Sequence, residues 1–92
     1  MTSWKELRDR RMAEPGAQAA YDRARRAYEL GRQVRELRIE RGLTQSELAV
    51  MVGTSQAAIA RLEAGGSEPR LSTLEAIGLA LDRRLVVEFA AL

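Results

Sequence analysis

Apolar residues recur along this chain at helical spacing, in runs separated by Gly, by Pro or by a Ser/Thr-x-x-Glu step. The first run is short. Trp4, Leu7 and Met12 follow Ser3-Trp4-Lys5-Glu6, a capping box in which a hydroxyl and a carboxylate each satisfy an end amide. Glu14-Pro15-Gly16 breaks the pattern, with Pro15 suited to the first position of the next helix. A long helix is predicted over residues 17–41. Ala17, Ala20, Tyr21, Ala24 and Tyr28 form one stripe, which Leu30, Val34 and Leu37 continue as far as Gly42. Gly31 falls inside it as an interruption or kink, at a helical cost of about 1 kcal/mol. Two short helices follow on either side of Gly53, and Glu68-Pro69 marks a loop. Ser72-Thr73-Leu74-Glu75 predicts another capped helix, with Leu74, Ile77, Ala80 and Leu81 inward. Gly78 inside that helix points to close backbone packing. Asp82 stands where the helix end wants a left-handed residue, a conformation Asp tolerates better than most. Residues 84–89 change period: Leu85, Val87 and Phe89 share one face, which predicts a β-strand. A lone strand leaves its backbone groups unpaired, so the expectation is pairing with a second copy or another protein. The plainer alternative is an apolar extension covering the core.

Residues 44–62, TQSELAVMVGTSQAAIARL, carry the chemistry. Thr44 and Glu47 form a capping box, and Leu48, Ala49 and Val52 give the helix an apolar face. Gly53 ends it, where a positive φ costs least. Ser55 caps the next helix, whose Ile59 and Leu62 point back at the first. This is a helix-turn-helix, the unit that lays its second helix in the DNA major groove. At helical spacing Gln56, Ala57, Ala60 and Arg61 occupy the outward arc. Gln suits the N6/N7 edge of adenine, Arg the O6/N7 edge of guanine, and small alanines let the helix approach closely. The alternative, ordinary solvated residues on a helical hairpin, leaves the coincidence of caps, turn Gly and small Ala49 unexplained.

Composition narrows the classes. Ninety-two residues, 46% hydrophobic and 30% charged, suit one small globular domain with an extension. No apolar run is long enough to span a membrane and no signal-peptide pattern opens the chain, so the expectation is a cytoplasmic protein with no membrane partner. The chain has no Cys and no His, which removes disulfides, thiol nucleophiles, His-based triads and the usual zinc sites. The Gly65-Gly66 pair follows a helix rather than a strand, unlike a phosphate loop. An enzyme is not expected, and no cofactor or metal. Residues 1–28 hold seven basic and four acidic side chains, while the remainder holds eight and nine. The motif region is therefore nearly neutral, which argues against strong non-specific DNA binding and for dimerisation to reach useful affinity.

The run GLTQSELAVMVGTSQAAIARLEAG resembles the Xre/Cro family of repressor domains. The resemblance implies an all-α, lambda-repressor-like domain of about five helices that binds double-stranded operator DNA as a symmetric homodimer. Carried across by position, Gln45 would contact the DNA backbone and brace the reading helix. Gln56 would be the main base reader, with Ala57 and Arg61 beside it. Backbone amides near Ser46 and Ser55, at helix N-termini, would hold phosphates. Gly65, Gly66 and Ser67 would form the exit loop along the phosphate backbone. Ala57 and Ala58 are less polar than in many members, which shifts discrimination toward DNA shape.

The amino-terminal segment adds Trp, Tyr and Arg, the residue types enriched in interface hot spots. Alone it fits equally well a segment packed on its own core or one used for self-association. The opening Trp-Lys segment, the Glu-Pro break, AYDRARRAYELGRQVRELRIERG, GLTQSELA and the strand-like end are together similar to HigA-type antitoxins within the Xre family. That resemblance implies an inhibitor with no chemistry of its own. It would bind a HigB-like toxin of the RelE fold, a ribosome-dependent mRNA nuclease, and repress its own operon. Trp4, Leu7, Arg8, Tyr21, Arg25 and Tyr28 are the candidate toxin face, and Glu6, Asp9, Glu14, Asp22 and Glu29 would meet the toxin's cations. The expected organisation is a helical extension over 1–29, the DNA-binding domain over 30–83, and a dimerising strand over 84–92 through Leu85, Val87 and Phe89. The competing expectations are a stand-alone regulator without a toxin and an interaction protein with a vestigial motif.

Overall fold

The computed structural model describes residues 3–12 and 16–92. The expected Glu14-Pro15 break and the apolar role of the Met12 side chain lie outside it. Among these residues five helices follow one another: α1 (Trp4–Met12), α2 (Ala17–Glu40), α3 (Gln45–Val52), α4 (Gln56–Glu63) and α5 (Leu71–Ala80). Among the described residues no helix is long and apolar enough to cross a membrane.

Helix starts follow local chemistry at three of the expected places. Ser3 Oγ accepts from the Glu6 amide at 3.1 Å, and Glu6 accepts from the Ser3 amide at 3.3 Å. Thr44 and Glu47 repeat the exchange at 3.0 and 2.9 Å, and Ser55 Oγ accepts from the Ala58 amide at 3.1 Å. The expected capping box at Ser72 and Glu75 does not form. Helix α5 begins one residue earlier, at Leu71, with Arg70 as its N-cap and no side-chain cap bond. Ser72 thus lies inside the first turn, where its hydroxyl cannot act as a cap.

Four helices end alike. After α2, α3, α4 and α5 a residue with positive φ turns the chain: Gly42, Gly53, Gly65 and Asp82. In each case the two amides at and after the turn close back on the last helical carbonyls, as with Gly65 to Leu62 and Gly66 to Arg61. Asp82, at φ 57°, fills the position without glycine. The Arg83 amide then bonds the Gly78 carbonyl at 2.7 Å, and a Cβ on Gly78 would meet the Arg83 oxygen at 2.8 Å. The close packing expected at Gly78 is therefore the chain folding back over the end of α5.

Val34, Leu48, Ala49, Ile59, Leu62, Ile77 and Leu81 form the core, one contribution or two from each of α2 to α5 and its end. Helix α2 runs unbroken through Gly31. Its α-carbon lies against the end of α4, where an added Cβ would meet the carbonyl oxygens of Leu62 and Glu63 at 2.4 and 2.7 Å. The glycine is a crossing point, not an interruption.

The strand expected over residues 84–92 is not present. Leu85 is half-buried, while Val87 and Phe89, expected on the same face, are exposed. A β-ladder needs a second strand, and none of the described residues supplies one. The chain is also longer than a compact domain of its size. Its radius of gyration is 15.7 Å, against about 12 Å expected for this length.

Candidate nucleic-acid interface

The α3–α4 pair sits where its end chemistry puts it. Gly53, at φ 80°, lets the chain reverse within Gly53, Thr54 and Ser55, and Leu48 and Ala49 of α3 pack against Ile59 and Leu62 of α4. That packing turns Gln56, Ala57 and Arg61 to solvent, with Ala60 half-buried between them. Ser46 is exposed in the first turn of α3, and Ser55 caps α4. Both helices present free amide ends on this side, which suits anions.

Gln45 connects the surface to the interior. Its Nε2 donates to Glu63 Oε1 at 3.1 Å, and its Oε1 accepts from Gln56 Nε2 at 2.7 Å. Glu63 lies at the end of α4 with its side chain only 3% exposed. It is paired with Arg38 of α2, whose Nε reaches Glu63 Oε2 at 2.7 Å and whose Nη2 reaches Oε1 at 3.0 Å. The third guanidinium contact goes to the Leu43 carbonyl at 2.8 Å, tying the end of α2 to the turn before α3. The hydrogen bond to Glu63 pushes the Arg38 pKa above its ordinary value against the opposing effect of burial. Breaking a buried pair by removing one partner costs about 3–5 kcal/mol, because a charge is left buried alone.

Sequence reasoning placed Gln45 and Gln56 together but missed Arg38 and Glu63. The signal was present: Glu63 stands four residues after Ile59 and next to Leu62, on the inward arc of a short helix. A carboxylate there must find a buried partner.

The exit loop leans on α2. A Cβ on Gly65 would come within 3.0 Å of the Tyr28 α-carbon, and Ser67 lines a cleft with Ala20, Arg23, Ala24 and Ala27. The amides of Gly65 and Gly66 already close α4. Arg23 reaches Glu68 at 3.8 Å across the same cleft.

Residues 34–87, more than half of the chain, match the family model described as helix-turn-helix. The chain belongs to the helix-turn-helix family of DNA-binding regulators. The restriction-modification controller protein C.AhdI from Aeromonas hydrophila has a similar solved structure, with a TM-score of 0.66 and 28% sequence identity. The similarity covers 68% of this chain and 91% of that one. No curated protein sequence matches the chain.

Outside the helix-turn-helix domain, the amino-terminal candidates fall into two sets. Trp4, Leu7 and Arg8 share a face of α1, and Tyr21, Arg25 and Tyr28 share a face of α2 at spacings of four and three. Trp4 is 68% exposed and Tyr28 60%, while Tyr21 and Arg8 are half-buried. Helix α1 packs against α2, and among the described residues it contributes none to the core. At the other end Leu79, Val86, Val87 and Phe89 are exposed together with Leu92.

Proposed function

We propose that the protein is an operator-binding transcriptional repressor that works as a homodimer and holds a second protein on its amino-terminal helices, as an antitoxin does. Two reading helices held one DNA turn apart by dimerisation select a palindromic site. Gln56 and Arg61 read bases, Ala57 lets α4 approach, Gln45 braces Gln56, and the helix ends at Ser46 and Ser55 hold phosphates, with Gly65 and Ser67 alongside the backbone. A second copy covers the apolar carboxy-terminal residues, Leu85, Val87 and Phe89 among them.

One observation carries the antitoxin half of the reading. Trp4 and Tyr28 are large and exposed, the first on α1 and the second on the part of α2 that precedes the matched residues 34–87. Aromatic and Arg side chains grouped in this way are the usual anchors of protein interfaces. The partner proposed is a small basic toxin of the RelE fold, HigB-like, gripped by Trp4, Leu7, Arg8, Tyr21, Arg25 and Tyr28. The protein's part is binding alone, without chemistry.

A stand-alone regulator is the second reading, supported by the likeness to a restriction-modification controller. That likeness takes in nearly all of the controller yet leaves about a third of this chain unaccounted for. Co-expression with the small protein encoded beside it separates the two. Relief of growth arrest with co-purification of a complex, lost on replacing Trp4 and Tyr28 with Ala, is the expected result. Absence of both toxicity and complex would leave the stand-alone regulator.

A further inference from the structure

Duplex DNA carries one negative charge for about every 1.7 Å of its axis, and a protein holds it by replacing counterions with its own cations. The helix-turn-helix supplies few of them. Residues 44–67 contain one basic side chain, Arg61, against Glu47 and Glu63. Residues 1–28 hold seven basic and four acidic side chains, so the positive charge of this chain lies toward its amino-terminal helices.

The fold brings one of those cations to the exit loop. Ala20, Ala24 and Ala27 of α2 line a cleft with the loop residues from Gly65 to Glu68. A Cβ on Gly65 would stand 3.0 Å from the Tyr28 α-carbon, so helix backbone and loop backbone lie close together. Arg23 stands among these alanines as the long, charged side chain on the α2 side of the cleft. It is 54% exposed, and its Nε lies 3.8 Å from Glu68 Oε1, beyond hydrogen-bond range. Other arginines of α2 are held more tightly. Arg32 bridges Glu29 and Glu36 at 3.0 and 2.8 Å, and Arg38 grips Glu63 at 2.7 Å. A long, exposed pair such as Arg23–Glu68 holds its guanidinium loosely. The fork of N–H donors is then available to an anion, and its geometry suits a phosphate.

Resting on the operator reading above, we propose that Arg23 is a further DNA-binding residue, reaching from α2 past the exit loop to the phosphate backbone beside the base pairs that α4 reads. A phosphate contact adds affinity and fixes orientation without reading sequence. Glu68 has the opposite effect. In the free protein it keeps Arg23 beside the loop, and next to DNA its carboxylate repels the phosphate that Arg23 attracts. Arg23 therefore exchanges Glu68 for phosphate on binding. If the pair served the fold alone, losing either partner would act in the same direction; the exchange makes the two losses act in opposite directions.

The experiment is a fluorescence-anisotropy titration of the full chain against a labelled duplex, at a series of KCl concentrations. The duplex is one that the wild type enriches from a library with a randomised core. Arg23→Gln is expected to weaken binding and to lower the slope of log affinity against log salt by about 0.9 per chain bound. The loss is the same on duplexes with one core base pair changed, as a phosphate contact requires. Glu68→Gln is expected to tighten binding. An unchanged salt slope in Arg23→Gln, or a Glu68→Gln that fails to tighten binding, would overturn the proposal while leaving operator binding intact. A wild type that enriches no duplex would overturn the operator reading and this proposal with it. Should Arg23→Gln lose helix content by circular dichroism, Glu68→Gln decides alone.

Discussion

Arg61 and Gly31 illustrate two kinds of residue in this molecule, one exposed for contact and one small for packing. Arg61 is exposed on α4 beside Gln56. If it reads a guanine, Arg61→Ala weakens operator binding by about 1–3 kcal/mol. A mobility-shift titration reads this directly, and unchanged affinity would remove Arg61 from the interface. Gly31 looks from the sequence like a weakness in a long helix, so replacing it with Ala should add about 1 kcal/mol of helix propensity. The crossing with α4 reverses that expectation. A methyl group 2.4 Å from the Leu62 oxygen forces the two helices apart, and overpacking of this kind costs about 1–3 kcal/mol. Gly31→Ala should therefore lower the urea midpoint; a rise would mean that α2 and α4 are not in such close contact.

Helix α3 owes its start to a charged group, and this makes one element sensitive to acid. Glu47 is held below its ordinary pKa chiefly by the bond it accepts from the Thr44 backbone amide, helped by the Thr44 side chain. A folded pKa below the unfolded one contributes stability above the unfolded value of about 4.3, and that contribution is lost as pH falls through the lower folded value. Glu47→Gln retains the shape of the capping box without the charge. Urea melts of the two proteins should differ at pH 7, and the gap should narrow at pH 3. An equal gap at both values would show that the ionised carboxylate is not what holds the cap. At the other end of the chain α5 starts without any side-chain cap, so its beginning is set by what Leu74, Ile77 and Leu81 pack against.

The whole molecule is a small domain with uncovered apolar surface at both ends. Among the described residues its core of seven buried hydrophobic side chains draws on α2 to α5, with none from α1. Surface ion pairs such as Arg41–Asp82 at 3.6 Å and Arg83–Glu40 at 3.7 Å tie the ends of α2 and α5 together, but exposed pairs contribute at most about 1 kcal/mol. On the homodimer proposed above, the exposed residues beyond Leu85 are the ones a second copy covers. Removing residues 86–92 should turn dimers into monomers in sedimentation velocity and weaken operator binding in step. Dimers that survive the truncation would place the contact elsewhere, with the exposed Leu71 and Leu79 of α5 as the next residues to change.

Helix-turn-helix order, three of the N-terminal caps, the left-handed Asp82 and the inward faces of α3, α4 and α5 were all legible in the sequence by itself. Each depends on interactions within a few residues, where spacing and residue type suffice. Tertiary structure alone decided the rest. It paired Arg38 with Glu63 across 25 positions, made Gly31 a helix crossing, moved the start of α5 ahead of Ser72, and withheld the strand from residues 84–92. Those outcomes depend on which surfaces meet. A buried carboxylate, a missing Cβ and an unpartnered strand acquire meaning only from the atoms that lie opposite them.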